Sequence, residues 1–405
     1  VKDFGAVGDG VTDDTAAIQA AIDSMGANNG DLIITAGTYS FNSTLTISGS
    51  HHTIEAKGGA VLQWDGITGT TGLQFGDGTA GTANLNVRNL RVNDNTATGV
   101  DRLVYINNCD RSNFENVYLG ALNTNTSGVL LTHGSTTGNP SIINSFYNLK
   151  LLNGWTGLEI RSNTNGVHFY NFIAEGQEKY GVLQLDSQPL YEVAFFGGTI
   201  ESIQGNTSVG MYFAHPNSTI NIDSVYFESN DQHIQFAHNP AVSGIKATIS
   251  NCRFISGGGT GCIELGTYQY VQATNNFFLT IPLVHLNNAN ARWHGEGNST
   301  TDAISEVSKT TGVSYVNAKS AKNTYNGHPI PEIEAGATGT IASGGSVTVT
   351  FTNAFVVAPI VVATHSAGTS RTGSLTISVI STTQVTIHNW DAAATVAEWV
   401  AVSSQ

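Results

Sequence analysis

One pattern in this sequence recurs with a step of a little over twenty residues, and that recurrence leaves few architectures open. An apolar alternation entered through Gly or a polar residue appears at Gly72-Leu73-Gln74-Phe75, Gly128-Val129-Leu130-Leu131, Gly157-Leu158-Glu159-Ile160 and Gly181-Val182-Leu183-Gln184-Leu185. It returns at Gly210-Met211-Tyr212-Phe213, His233-Ile234-Gln235-Phe236, Cys262-Ile263-Glu264-Leu265 and Leu283-Val284-His285-Leu286. A second segment carries an aromatic or Ile before an Asn-centred turn, as in Phe114-Glu115-Asn116, Phe146-Tyr147-Asn148 and Phe169-Tyr170-Asn171. It recurs at Phe146, Phe169, Phe195, Ile222 and Ile249, in steps of 23, 26, 27 and 27 residues. Two or three short strands per step make one turn of a β-solenoid. An antiparallel sandwich would instead carry hairpin signals every ~8–12 residues. The expected fold is therefore all-β, a parallel β-helix with apolar residues inside each coil and polar ones outside. The corner Asn residues are expected to stack as a ladder.

Composition agrees. Charged residues are 11% of the 405 and Gly numbers 45. Uncharged side chains stack on their own kind without the repulsion that like charges suffer across a sheet. A net charge of −14 with no basic stripe argues against nucleic acid. No run reaches the ~18 apolar residues of a membrane span. No signal peptide is read at the start, which opens at Val1-Lys2-Asp3-Phe4-Gly5 inside a folded motif. Cys109, Cys252 and Cys262 form no paired pattern and read as buried free thiols. No Cys/His spacing suggests zinc, and neither a metal nor another cofactor is expected.

The two ends differ from the repeat. Ile18, Ala21, Ile22 and Met25 fall on one helical face, which predicts a helix over 12–25 with Thr12 as N-cap. Together with the strands to residue 45, it would cap the apolar end that a solenoid exposes. The repeat domain is then 46–300 and a connector 301–334. Residues 335–405 carry five alternating runs, from Ser346-Val347-Thr348-Val349 to Trp399-Val400-Ala401-Val402, and read as a small antiparallel β-sandwich.

Aligning the coils on their aromatic segment produces one acidic column. Asn171, Gly197 and Ser224 are each followed four residues later by glutamate: Glu175, Glu201 and Glu228, at intervals of 26 and 27. Equivalent positions on adjacent coils lie ~4.8 Å apart. Stacked carboxylates push their pKa values apart, as an acid/base pair requires. Glycoside hydrolysis uses two carboxyls ~5–5.5 Å apart for retention and ~6.5–9.5 Å apart for inversion. Glu175, Glu201 and Glu228 are thus the candidate catalytic residues. The alternatives are solvated glutamates paired with Lys179 or a neighbouring chain, and a structural cation site. Tyr212 and Gln235, at outward positions with Glu159, Gln184, Glu264 and His285, are candidate sugar contacts. Asp231 and His233 follow the column into the next turn and are grouped with them. Arg161 and Lys179 are the cations placed to meet an acidic sugar, although Arg161 and Asp186 also read as a cross-coil ion pair.

The opening Val1-Lys2-Asp3-Phe4-Gly5-Ala6-Val7-Gly8-Asp9-Gly10-Val11-Thr12-Asp13-Asp14-Thr15, with Ala36-Gly37-Thr38-Tyr39 and Thr53-Ile54-Glu55-Ala56-Lys57-Gly58, resembles the pectate-lyase-like superfamily and, within it, phage tailspike depolymerases. The resemblance covers residues 1 to about 300. It implies a right-handed parallel β-helix and a homotrimer on a virion tail. It also implies cleavage of bacterial capsular or other surface polysaccharide. The reading that follows is an endo-glycoside hydrolase. A lyase on an acidic sugar and a non-catalytic carbohydrate-binding adhesin are the rivals.

Overall fold

The computed structural model describes the chain continuously over residues 1–66, and then the strands and most corners of the repeat to residue 301. Intervals such as 96–100, 122–127, 135–140, 186–189 and 238–245 fall outside it, and from 302 onward it describes mainly strands. Among the described residues the repeat is a parallel β-helix. Eleven strands, from Leu45–Ile47 to Val307–Lys309, form one parallel sheet, and a second, larger sheet carries the other faces of the coil. The aromatic segment is aligned coil upon coil: Phe114, Phe146, Phe169, Phe195, Ile222 and Ile249 are successive Cα partners. The four Phe rings stack inside with centroids 4.8 Å apart at each step, matching the inter-strand spacing.

The corner after that segment explains the Asn pattern. Asn89, Asn116, Asn148, Asn171, Ser224, Asn251 and Asn275 all have φ between 55° and 58°, and Gly197 has φ 69°. This left-handed region costs most side chains roughly 1–2 kcal/mol, and Asn tolerates it best after Gly. An amide also both donates and accepts. Asn116 Nδ2 donates to Asn89 Oδ1 at 3.1 Å, Asn148 to Asn116 at 2.8 Å and Asn171 to Asn148 at 2.9 Å. One residue type thus meets both the backbone and the stacking requirement of the four coils from Asn89 to Asn171.

The helix occupies Thr15–Asp23, and Ile18, Ala21, Ile22 and Met25 are buried. Thr12 is not its N-cap, because it lies in the strand Asp9–Asp13; Asp14 takes that place. The Asp14 carboxylate accepts from the backbone N–H of Val7 at 2.6 Å and Gly8 at 3.0 Å, tying the opening loop to the helix start. All three cysteines are free and buried, and burial pushes the Cys109 and Cys252 thiols up to about 12.

The coil runs past residue 300, where the fading sequence pattern suggests a connector. Arg292–Glu296 pairs in parallel with Ala318–Ala321, and Val284–Leu286 with Val307–Lys309. Beyond it the pairing turns antiparallel. Ser346–Thr350, Gln384–Asn389 and Leu375–Ile380 form one sheet. Ile333–Ala337, Ala397–Val402 and Ile360–His365 pair alongside. Residues including Ile341, Phe351, Val385, Ile387 and Trp399 give this region its own core, distinct from the one spanning Val1 to Val307.

Replacing Asn148 by Ala removes both ladder bonds and places a methyl group in the left-handed region, at an expected cost of about 2–3 kcal/mol. Asn148→Gly keeps the backbone and should cost less. Denaturant unfolding of the two variants checks the order; equal costs would mean that backbone conformation is not part of the reason for Asn.

Candidate active site

The three longest strands of the coil, Thr164–Glu175, Tyr191–Glu201 and Thr219–Glu228, each run through the Asn corner and end on a glutamate. Glu175 and Glu201 are Cα partners, as are Glu201 and Glu228. The corner residues at 171, 197 and 224 carry the same left-handed turn, so the four-residue count to each glutamate stays in phase. Leu152 precedes Glu175 in this column and Ile255 follows Glu228. The acids therefore form a block of three with an aliphatic residue at either end.

Two residues earlier on the same outer face runs a second column: Lys150, Ile173, Thr199, Tyr226 and Arg253. Lys150 Nζ lies 3.6 Å from Glu175 Oε2. The Tyr226 hydroxyl donates to Glu228 Oε2 at 2.9 Å. Arg253 sits over the Phe277 ring at 5.0 Å. The three carboxylates consequently differ in partner: Glu175 has an ammonium, Glu228 a phenol, and Glu201 stands between them. Partial burial, and then the charges of Glu175 and Glu228, raise the Glu201 carboxyl above its ordinary value, with Lys150 opposing. Burial, followed by the hydrogen bond and charge of Glu228, raises the Tyr226 phenol and keeps it a donor. Lys150 and Tyr226 were not singled out from the sequence. The signal for them was strand alternation, since two residues before an outward glutamate is again an outward position.

The remaining sequence candidates are scattered. Tyr212 and Gln235 are Cα partners on the eleven-stranded sheet, a different face from the glutamates. Tyr212 is tilted against Tyr180 at 5.5 Å, and Gln235 Nε2 donates to Glu264 Oε2 at 3.2 Å. Arg161 is on that face too, with Nε and Nη2 each 3.0 Å from the Glu159 carboxylate. Its Asp186 partner lies outside the described residues. Lys179 and Asp231 occupy the turn between the faces. Lys179 Nζ donates to the Thr207 carbonyl at 2.9 Å, and Asp231 Oδ2 accepts from Ser208 Oγ at 2.9 Å.

Two placements need correction. His233 is not a substrate contact: it is 1% exposed, its ring sits against Phe227 and Phe254, and Asn230 Nδ2 lies 3.1 Å from its Nδ1. Gln184 does not point outward. Leu183 is the Cα partner of Glu159 and Tyr212, while Gln184 partners Phe213 and is fully buried, accepting from Ala214 N–H at 3.1 Å. A slip of one residue exchanges the faces of a strand. Among the described residues, no group of three or more His, Cys, Asp or Glu is arranged to hold a metal ion. Nor is any helix there long and apolar enough to cross a membrane.

Residues 1–256 match the family described as rhamnogalacturonase A/epimerase, pectate lyase-like. The chain belongs to this family. Mannuronan C5-epimerase AlgE2 of Azotobacter vinelandii is 40% identical over 117 residues, which are 25% of this chain and 12% of that protein. The chain thus spans about an eighth of the length of the curated relatives it matches. Among solved structures, tailspike protein gp49 of the Acinetobacter baumannii bacteriophage Fri1, a capsular polysaccharide depolymerase, superposes with TM-score 0.55. The two are 12% identical, and the match covers 97% of this chain and 83% of that one. The surface adhesin PfbA of Streptococcus pneumoniae gives TM-score 0.50 at 15% identity, over 80% and 96% of the two chains. A depolymerase and an adhesin thus share this fold.

Burial lowers both His233 and His133 to about 3. Each is neutral in the folded coil and gains a proton near pH ~6.5 once unfolded. Their contribution is present above that value and is lost as pH falls from ~6.5 toward 3, at about 2 kcal/mol each by pH ~5. Denaturant midpoints should fall between pH 7 and pH 5, and less so in His233→Gln. A slope unaltered in that variant would place a protonated histidine in the folded coil.

Proposed function

We propose that the chain is a polysaccharide depolymerase that hydrolyses glycosidic bonds at the glutamate column. The observation that carries this reading is the in-register stacking of Glu175, Glu201 and Glu228, with Glu201 biased toward its protonated form and Glu228 held by Tyr226. Glu201 is the general acid: its proton passes to the glycosidic oxygen as the C–O bond breaks. Glu228 is the carboxylate that attacks the anomeric carbon or activates the water that does so. The Tyr226 hydroxyl orients it. Glu175, paired with Lys150, completes the column and contributes to the field that raises the Glu201 carboxyl.

The substrate follows from the same electrostatics. Three carboxylates against one close ammonium repel a polyuronate, and a chain of net charge −14 does not attract one. A neutral or amino-sugar polymer fits better. By the likeness to tailspikes the polymer is a bacterial capsule or other surface polysaccharide, and the protein is a homotrimer on a phage tail. The epimerase relatives favour a second reading, proton abstraction from a uronate by lyase or epimerase chemistry. That reading requires cations at the substrate carboxylate: Arg161 and Lys179 are on the other face and in the turn, while Lys150 beside the column is paired with Glu175 and Arg253 lies over Phe277.

Incubation with a panel of purified surface polysaccharides, followed by sizing and end-group analysis, tests the proposal. Hydrolysis yields shortened chains with saturated ends. Ultraviolet-absorbing unsaturated ends would mean a lyase, and unshortened but bound polymer an adhesin. Glu201→Gln should lower kcat by about 10²–10⁴-fold with KM little changed. The rate should be bell-shaped in pH, needing one carboxyl protonated and one ionised. If the triple variant Glu175→Gln, Glu201→Gln, Glu228→Gln depolymerises at the wild-type rate, the column is not the active site.

A further inference from the structure

Across the Asn corner from the glutamates, the strand face that precedes the corner carries a column of another kind. Arg88, Glu115, Tyr147, Tyr170, Phe196 and Asp223 are successive Cα partners on its outside. Tyr147 and Tyr170 stack with centroids 4.9 Å apart and planes 7° from parallel, and Tyr170 and Phe196 follow at 5.2 Å. His168 meets Tyr170 and Phe196 edge-on and fixes the lower rings from the side. The ladder ends at Tyr147. One face of that ring rests on Tyr170, yet the residue is 41% exposed.

On the other side of Tyr147 the next coil places Glu115, whose carboxylate lies 3.7 Å from Arg88 one coil further on. A cleft of about 260 Å³ opens here, lined by Tyr147, Glu115, Arg88, Asn113 and Asn86. That is just under the ~300–1,000 Å³ of drug-sized sites, room for one ring of a polymer. Its wall combines one rigid aromatic surface with a carboxylate, a guanidinium and two amides. The C–H face of a pyranose packs on an aromatic ring by dispersion and apolar burial, while its equatorial hydroxyls need both donors and acceptors around the rim. The mutual compensation of Arg88 and Glu115 leaves no net charge to select an ion.

We propose that this cleft is a non-catalytic carbohydrate subsite that seats one neutral pyranose ring against Tyr147. The aromatic ladder holds the platform rigid, so little ordering cost is incurred on binding. The proposal takes from the preceding section only the substrate class. Tyr147 lies five residues before Leu152, the Cα partner of Glu175, so the subsite sits on the coils immediately before those that carry the glutamate column. A long polymer can engage both, and a short oligosaccharide only one. Tethering the chain at a second point raises its effective concentration at the column without touching the chemistry.

The test is affinity electrophoresis of the full chain through gels containing each of a panel of purified neutral and acidic capsular polysaccharides. Wild-type protein should be retarded by a neutral polymer. Tyr147→Ala should raise the apparent Kd about fivefold to tenfold, and Tyr147→Phe should keep most of the affinity. Glu115→Ala, an exposed rim change that leaves the ladder intact, should also weaken retardation, and it carries the test where thermal melting shows that Tyr147→Ala compromises folding. KM for the polymer should rise in Glu115→Ala. Wild-type retardation in both Tyr147→Ala and Glu115→Ala, or no retardation of wild type by any neutral polymer, would overturn the proposal. Retardation is also read in the Glu201→Gln background, where the proposed cleavage is slowed, so the binding result is independent of whether the glutamates are catalytic.

Discussion

Everything in this molecule depends on the parallel hydrogen bonding of each coil to the next. It sets a spacing of ~4.8 Å and repeats it at every position around the coil. Each side chain therefore has its counterparts on the coils before and after as nearest neighbours. Whether a column of like residues stabilises the fold depends on the chemistry of the residue. Phe114, Phe146, Phe169 and Phe195 gain from stacking. Asn89, Asn116, Asn148 and Asn171 gain more specifically, because each amide is both donor and acceptor and each backbone needs a positive φ. Three glutamates in a column lose. At ~5 Å, adjacent like charges cost roughly 1–3 kcal/mol between a watery and a partly shielded environment.

The same spacing explains which parts of the fold could be read in advance. The glutamate column was legible because a conformational marker (Asn171, Gly197 or Ser224) sits in every coil four residues before the acid. Counting from a fixed corner cannot slip. Gln184 was misread because the segment around it offers Leu on both sides. Leu183 faces outward yet is largely covered, and Leu185 is 56% exposed, so apolar character does not reveal the phase. His233 was misread for a different reason. It lies past the corner at Ser229, where contacts from two other strand positions, Phe227 and Phe254, enclose the ring. Those contacts are set by coil stacking and leave no periodic trace. The continuation of the coil beyond residue 300 was hidden likewise, since Trp293 pairs with Ala318 and the apolar signal is weak on one side of the pair.

The division of labour between faces was not legible either. Sequence alignment assigns a residue to a phase of the coil, but it does not say how sharply the chain turns between phases. Tyr212 and Gln235 are close to the glutamates in sequence and on another sheet in space. Lys150 and Tyr226, by contrast, belong to different coils and reach the acids through alternation alone.

A solenoid could relieve an acidic column by alternating its sign from coil to coil, as Arg88 and Glu115 do on the other face. The column at 175, 201 and 228 does not; it is three acids long and closed by Leu152 and Ile255. Stacking by itself would make the three carboxylates equivalent and leave the shared proton unassigned. The neighbouring column removes that equivalence. Lys150 compensates the first acid and Tyr226 donates to the third, while partial burial and the two flanking charges raise the carboxyl of the middle one. The repulsion that costs folding energy thus also raises the carboxyl of Glu201, the residue proposed as the acid.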